Sequence, residues 1–459
     1  MNLSQALRVT STAPIIAFVG AGGKTTALFQ LAHELTQPST LRLRSGRAFN
    51  LQPSTFNLRP SIIVTATTHL GTWQTSLADH HIIAESVEDV IDHEFNGVTL
   101  ITGPIKDSRT KPIDKSILLR LREDLKMSNI PLLIEADGSR QKPLKAPAEH
   151  EPAIPEFVEL VVVVAGLSGL GKPINKGYVH RPEVFGELAN QKNDGTITPE
   201  DVVKVLCHSK GGLKNIPSQA RRVALLNQAD TPELQAVGGR MAGGLLKDYD
   251  SVLVGALQSS NLQVVENIAG IILAAGGSKR FGRTKQLLNW HGQPFVRAVA
   301  KTALDAGLSP VLVVTGADAD EVGKAVNDLD VSIIRNHNWQ SGQGTSIRAG
   351  VQVLPPKTGA CVFLLADQPQ IPVSVIRALI KTHATGLHPI VVPLVLMERR
   401  ANPVLFDRVT FPDLLALDGD IGGRAIFSKH KVEFMPWHDD ILLLDVDKPE
   451  DYKRLVESE

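Results

Sequence analysis

The chain has 459 residues, 43% of them hydrophobic and 21% charged, with 48 Lys plus Arg balancing 48 Asp plus Glu. That length exceeds one ordinary core and predicts two or three domains, while the zero net charge leaves no overall field for nucleic acid or an acidic membrane surface. Two distant cysteines, Cys207 and Cys361, give neither a disulfide framework nor a metal-ligand spacing, as expected of a reducing compartment.

The amino terminus shows no cleavage-like site and no span of about 20 apolar residues, so a cytoplasmic protein without a membrane partner is expected. The first apolar run, "IIAFVG", breaks into glycines; "SIIVTAT", "PLLIEADG", "ELVVVVAG" and "RRVALLNQAD" come after it, separated by longer amphipathic stretches. Such runs, each closed by small or polar residues, read as buried parallel strands joined by helical crossovers. Residues 37–60, with four arginines, prolines and no clear periodicity, read as a surface insertion loop.

In "GAGGKTT", Gly20, Gly22 and Gly23 let the backbone bend so that its N–H groups point at an anion, and Lys24 adds a point charge. Thr25 is placed to hold a magnesium ion, and Thr26 leads into the helical pattern "ALFQLAHEL". A full Walker spacing wants glycine six positions before the lysine, where this chain has Phe18, so the loop is the shortened G-x-x-G-K-T form. The competing reading is an ordinary glycine turn capping a helix. "LLIEADGS" supplies a Walker-B-like partner, since Glu135 and Asp137 sit where a buried strand ends and can orient magnesium or water; solvated strand-end acids are the alternative there. At the end of "LLNQAD", Asn227 and Asp230 resemble the base-reading Asn-x-x-Asp of guanine-nucleotide enzymes. The histidines, among them His69, His80, His81, His180 and His208, form no metal-ligand spacing.

"VGAGGKTT", "VTATTHL", "IEADGSRQKPLKAPAEHEPAIP" and "VHRPE", spread over roughly the first 235 residues, resemble the YqeC-like selenium-dependent hydroxylase accessory family. That resemblance implies a nucleotide-binding maturation factor for molybdenum hydroxylases, with ATP or GTP as a second nucleoside triphosphate and a hydroxylase apoenzyme as a partner.

Residues 251–270, "SVLVGALQSSNLQVVENIAG", lie between the two patterns; in them the polar "QSSN" and the segment after it are expected to form a short connection, and the boundary falls near residue 265, giving domains 1–264 and 265–459. The strand pattern then restarts at "IAGIILAAGG" and runs through "SPVLVVTG", "CVFLLADQP" and "PIVVPLV". In "LAAGGSKRFGRTKQLL" the residues Leu273, Ala274, Ala275, Gly276, Gly277 and Ser278 let a nucleotide lie against the backbone, while Arg280 and Lys285 can neutralise phosphates and no acid intervenes. Nucleotidyl transfer builds charge on a triphosphate as pyrophosphate leaves, and cations and N–H groups must meet it. A dinucleotide fingerprint, G-x-G-x-x-G, is not matched by the adjacent Gly276 and Gly277.

"VFLLADQPQ" delivers Asp367 at the carboxyl end of a strand, where an open α/β sheet binds ligand and magnesium would want a carboxylate. "ILLLDVDKPEDY" is expected to close the chain with Asp445 and Asp447 on another strand end, able to complete the metal site; a helix N-cap is the alternative role for one of them. "NHNWQSGQGTSIRAG" offers Gly344, Ser346 and Arg348 at a helix start, a second anion cradle suited to an acceptor phosphate.

"LAAGGSKRFGRTKQLL", "SGQGTSIRAG", "ADQPQIP", "RRANPVLF", "GDIGGRA" and "DVDKPEDY" together resemble the molybdenum cofactor cytidylyltransferase branch of the MobA-like nucleotidyltransferases, over nearly all of residues 268–459. Ala274-Ala275-Gly276 looks like the cytidylyl pattern. The resemblance implies that CTP and molybdenum-molybdopterin give the cytosine dinucleotide cofactor and pyrophosphate, with Arg280 and Lys285 holding CTP and Asp367 and Asp447 holding Mg2+. The expected fold class is α/β in two domains: an N-terminal P-loop-like domain and a C-terminal Rossmann-like nucleotidyltransferase domain with a mostly parallel mixed sheet. A GTP-using guanylyltransferase, a transferase of another phosphate, and a non-catalytic cofactor chaperone remain the alternatives.

Overall fold

The computed structural model describes residues 1–11, 13–37, 60–91, 93–192, 194–259, 261–277, 281–446 and 448–457. The expected insertion loop at 37–60 lies almost wholly outside the described residues, as do Ser278, Arg280 and Asp447. Contacts divide the chain into two compact units, Met1–Val265 and Glu266–Glu459.

Valine and isoleucine dominate the strands of the first unit because both faces of a parallel sheet are covered and β-branched side chains fit that pleat. Leu160–Gly166 is buried along its whole length. The nine strands lie in the order Asn261–Val265, Ser251–Ala256, Arg221–Asn227, Leu160–Gly166, Ile15–Gly20, Leu132–Glu135, Ile62–Ala66, Val98–Thr102 and His80–Ile83. All neighbours are parallel except the edge strand Asn261–Val265, which runs antiparallel to Ser251–Ala256. The segment expected after "QSSN" as a short connection is strand instead: Asn261–Val265 pairs with the buried strand Ser251–Ala256, and Asn267–Ala274 opens the second unit's sheet. Leu257–Ser259, at the start of "QSSN", is a short 3-10 helix. Register sets Phe18 beside Glu135, so the glycine loop and the acids leave the sheet at the same carboxyl ends.

In the second unit the order is Ser332–Arg335, Val311–Thr315, Asn267–Ala274, Thr358–Leu365, Val404–Asp407, Ile390–Val395 and Arg399–Arg400, with Val432–Trp437 parallel to Ile390–Val395. The first four strands are mutually parallel; Val404–Asp407 is antiparallel to both its neighbours. The sheet is thus mixed. Alternation along it feeds two cores: Ile272, Val362 and Leu364 point to one side, Ile271, Cys361 and Phe363 to the other. The segment "ILLLD" also departs from its expected form. Asp440–Leu443 is a short 3-10 helix, not a strand, because the Asp439 carboxylate caps it by accepting from the Ile441 N–H, and Gln370 Nε2 donates to the carbonyls of Ile441 and Leu444. Among the described residues no helix is long and apolar enough to cross a membrane.

Candidate active site

The central strand Asn267–Ala274 ends against the loop Ala275–Gly277, and the parallel strand beside it, Thr358–Leu365, leads into the turn that carries Asp367. Both loops open on one cleft of about 800 Å³, lined among others by Leu273, Ala275, Gly276, Gly277, Lys285, Ser346, Asp367 and Asp420. Lys285 Nζ donates to Asp367 Oδ2 at 2.9 Å. The expected cation and the expected carboxylate thus share the same hollow.

Several side chains that the sequence did not single out shape this cleft. Gln286 Nε2 donates to the carbonyl oxygens of Gly276 (2.8 Å) and Ala274 (3.4 Å), clamping the small-residue loop to the turn carrying Lys285. Thr284 Oγ1 donates to Asp318, which ties the far end of the basic loop to the start of the Ala319–Lys324 helix. Trp339 lines the wall, and a Cβ on Gly277 would come within 3.0 Å of its Cη2, so glycine there is set by the indole's closeness. Gln286 lies inside a motif that carries the resemblance and Trp339 just ahead of another, but nothing in their spacing distinguished them from neighbouring polar or core residues.

The expected acceptor cradle is only partly assembled. Gly344 spends its N–H on the Gly419 carbonyl at 3.0 Å, and Arg348 Nη2 lies 3.9 Å from Asp418. Ser346 lines the cleft, and its hydroxyl accepts from Asn336 Nδ2 at 3.0 Å.

A magnesium ion takes oxygen ligands and commonly binds through one or two carboxylates plus substrate phosphates. Asp367, with its side chain 28% exposed, and Asp420 face the cleft, which fits that donor chemistry; Asp445 accepts from Gln368 Nε2 at 2.5 Å. Among the described residues there is no cluster of three or more His, Cys, Asp or Glu able to hold a metal alone.

In the first unit the glycine loop at 20–23 precedes the helix Lys24–Leu35. Lys24 is buried, with Nζ 3.1 Å from Asp137 and 3.7 Å from Glu135. Burial opposes its charge, but the Asp137 and Glu135 carboxylates outweigh that and raise its pKa. Asp137 has the nearer claim on the amine, and burial lifts the Glu135 pKa despite Lys24 and the Thr25 hydroxyl. Thr25 Oγ1 donates to Glu135 at 2.9 Å and accepts from Gln74 Nε2. Loop N–H groups are also engaged: Gly20 donates to Asp137, Ala21 to the Val164 carbonyl and Gly22 to the Lys142 carbonyl. The network continues through Lys145, 2.8 Å from Asp137 and 2.9 Å from Glu151, to Arg181, 2.8 Å from Glu151. A cavity beside Gly20, Asp137 and Lys145 has about 30 Å³, room for a water but not a nucleotide. Thr26 comes after Thr25 in the first turn of the helix.

The sequence profile of the MobA-like NTP transferase domain matches residues 270–434, and that of the YqeC protein matches residues 48–183. The chain is 31% identical over 251 residues to the uncharacterized protein YqeC of Escherichia coli (strain K12), covering 53% of this chain and 88% of that protein. It is 34% identical to nicotine blue oxidoreductase of Paenarthrobacter nicotinovorans over 41% of this chain and 96% of that one. It is 25% identical to the molybdenum cofactor cytidylyltransferase of Escherichia coli (strain K12), over 40% and 92% respectively.

Proposed function

Because the chain belongs to the YqeC family in its first half and to the MobA-like NTP transferase family in its second, we propose that it transfers CMP from CTP to the terminal phosphate of molybdenum-molybdopterin. The observation that carries this reading is the pairing of Lys285 with Asp367 in a cleft of nucleotide size, beside the small-residue loop. An oxygen of the acceptor phosphate attacks the α-phosphorus of CTP; the bond from that phosphorus to the β-phosphate's bridging oxygen breaks, and pyrophosphate leaves. The acceptor is ionised near neutral pH, so the step asks for alignment and charge neutralisation rather than a base. Lys285, with Arg280 as its expected partner, neutralises the triphosphate; Ala275, Gly276 and Gly277 let the nucleotide approach the backbone. Asp367, with Asp445 or Asp447, would hold Mg2+, whose charge would offset the negative charge that develops on the leaving group. Gly344, Ser346 and Arg348 would face the acceptor, with Ser346 best placed.

For the first unit we read a second nucleoside triphosphate on Gly20, Gly22, Gly23, Lys24, Thr25 and Thr26, with Glu135 and Asp137 on its metal or water. Lys24 would exchange Asp137 for phosphate on binding. Joined to a cytidylyltransferase, such a module suits delivery of the finished cofactor to a molybdenum hydroxylase apoenzyme.

A second reading has one observation behind it, the 34% identity to an oxidoreductase; under it, the cleft runs a redox step and no pyrophosphate leaves. Pyrophosphate measured after mixing the protein with Mg2+, molybdenum-molybdopterin and either CTP or GTP decides. Release with CTP above GTP supports the proposal. GTP preference overturns the base assignment, and silence with both favours the redox or chaperone reading.

A further inference from the structure

Resting on the reading of the Gly20–Thr26 loop as a triphosphate site, the geometry points to guanine as the base of that second nucleotide, read by the carboxylate of Asp230. The motif that holds this acid, "NQAD", takes no part in the cytidylyl chemistry, yet the fold ties it to the glycine loop. Asn227 ends the strand Arg221–Asn227 and is 5% exposed. Its Nδ2 donates to the Gly22 carbonyl at 2.7 Å, and its Oδ1 accepts from the Leu257 N–H at 3.1 Å. One amide therefore joins the loop to the end of the neighbouring strand Ser251–Ala256. Gly23, at φ 120°, sits against it so closely that a Cβ would lie 2.3 Å from Asn227 Nδ2 and 4.0 Å from Leu257 Cδ1.

Position then decides which part of a nucleotide reaches Asp230. One strand, Leu160–Gly166, separates Ile15–Gly20 from Arg221–Asn227. Two strand spacings are about 10 Å, the scale that separates a triphosphate on the first loop from its own base. Beyond Asn227 the chain turns through Gln228, at φ 60°, and is pinned by Ala229, whose N–H donates to the Gly255 carbonyl at 3.1 Å. Asp230 comes next and is exposed. A carboxylate accepts hydrogen bonds and donates none. Guanine offers it two adjacent donors, N1–H and the N2 amino group, whereas adenine presents the bare N1 acceptor and would be repelled.

Nucleotide binding by the full chain, titrated calorimetrically in a Lys285→Ala background that weakens the C-terminal cleft's claim, tests this. GTP is expected to bind at least tenfold more tightly than ATP, in keeping with hydrogen bonds to a charged acceptor. Asp230→Asn turns one acceptor into a donor, so it is expected to lose at least tenfold for GTP and to gain for XTP, whose 2-oxo group accepts where guanine donates. A purely structural role for Asp230 would weaken all nucleotides alike and create no XTP preference. Equal GTP and ATP binding, or an unchanged GTP to XTP ratio in Asp230→Asn, overturns the guanine assignment, and the loop reading stands if Lys24→Ala still abolishes binding. If Lys24→Ala binds GTP as well as its parent does, the loop reading falls and the inference with it.

Discussion

Lys285 and Asp367 hold each other at 2.9 Å with side chains 14% and 28% exposed. A pair this close to solvent contributes about 0–1 kcal/mol to stability, so removing either leaves the fold nearly as stable. Catalysis is another matter, since losing one preorganised charge at a developing anion costs about 10²–10³ in rate. Lys285→Ala and Asp367→Asn are therefore expected to lower kcat for pyrophosphate release by about that factor, with an unchanged thermal transition; a variant that unfolds instead, or one that retains full activity, contradicts the assignment. Both residues stood out in the sequence, Lys285 as a cation in a loop without acids and Asp367 as a carboxylate just past the strand Thr358–Leu365; in the fold Lys285 begins a short 3-10 helix rather than ending a strand. Gln286 was not legible: its role is a pair of bonds to the Ala274 and Gly276 carbonyls, and an amide bonding back to a loop about ten residues earlier leaves no periodic trace.

At the scale of elements, the glycine loop is held by charges borne on three separate segments. Asp137, Lys145, Glu151 and Arg181 form a chain from the end of Leu132–Glu135 to the strand Val179–His180. Their residues stand in "EADGSRQKPLKAPAEHEP" and "VHRPE", but their pairing was hidden because it depends on the fold bringing residue 181 back to residue 151. Burial works to raise the Glu151 pKa, yet Lys145 and then Arg181 pull it from 4.5 down to about 2. A depressed carboxylate contributes stability in full above its unfolded value and loses it as pH falls through the folded one. The wild type is therefore expected to lose urea resistance between about pH 4.5 and about pH 2, more steeply than Glu151→Gln, which starts less stable at neutral pH with Lys145 and Arg181 lacking their partner. Identical pH slopes for the two proteins would contradict this account of the network. Strands were the most legible elements: "IIAFVG" is the strand Ile15–Gly20, since an apolar β-branched run closed by glycine has few other uses. "ILLLD" failed for a local reason, because an aspartate cap competes with strand formation and apolar content alone does not reveal it.

For the whole molecule, two α/β units each end a central strand in a glycine-containing loop, and the chemistry proposed for them differs. The first loop is closed on its own carboxylates, with a water-sized cavity beside it; the second opens on a cleft of about 800 Å³. That contrast was invisible in the sequence, where both loops read as small residues accompanied by cations, because openness depends on what distant segments pack against each loop. It is also why the C-terminal cleft bears the central claim. The most direct measurement is the fate of the α-phosphate: with CTP radiolabelled at that phosphate, Mg2+ and molybdenum-molybdopterin, the label is expected to appear in a pterin dinucleotide in step with unlabelled pyrophosphate. Label that stays in CTP or appears only as free CMP, while the protein remains folded, would contradict cytidylyl transfer.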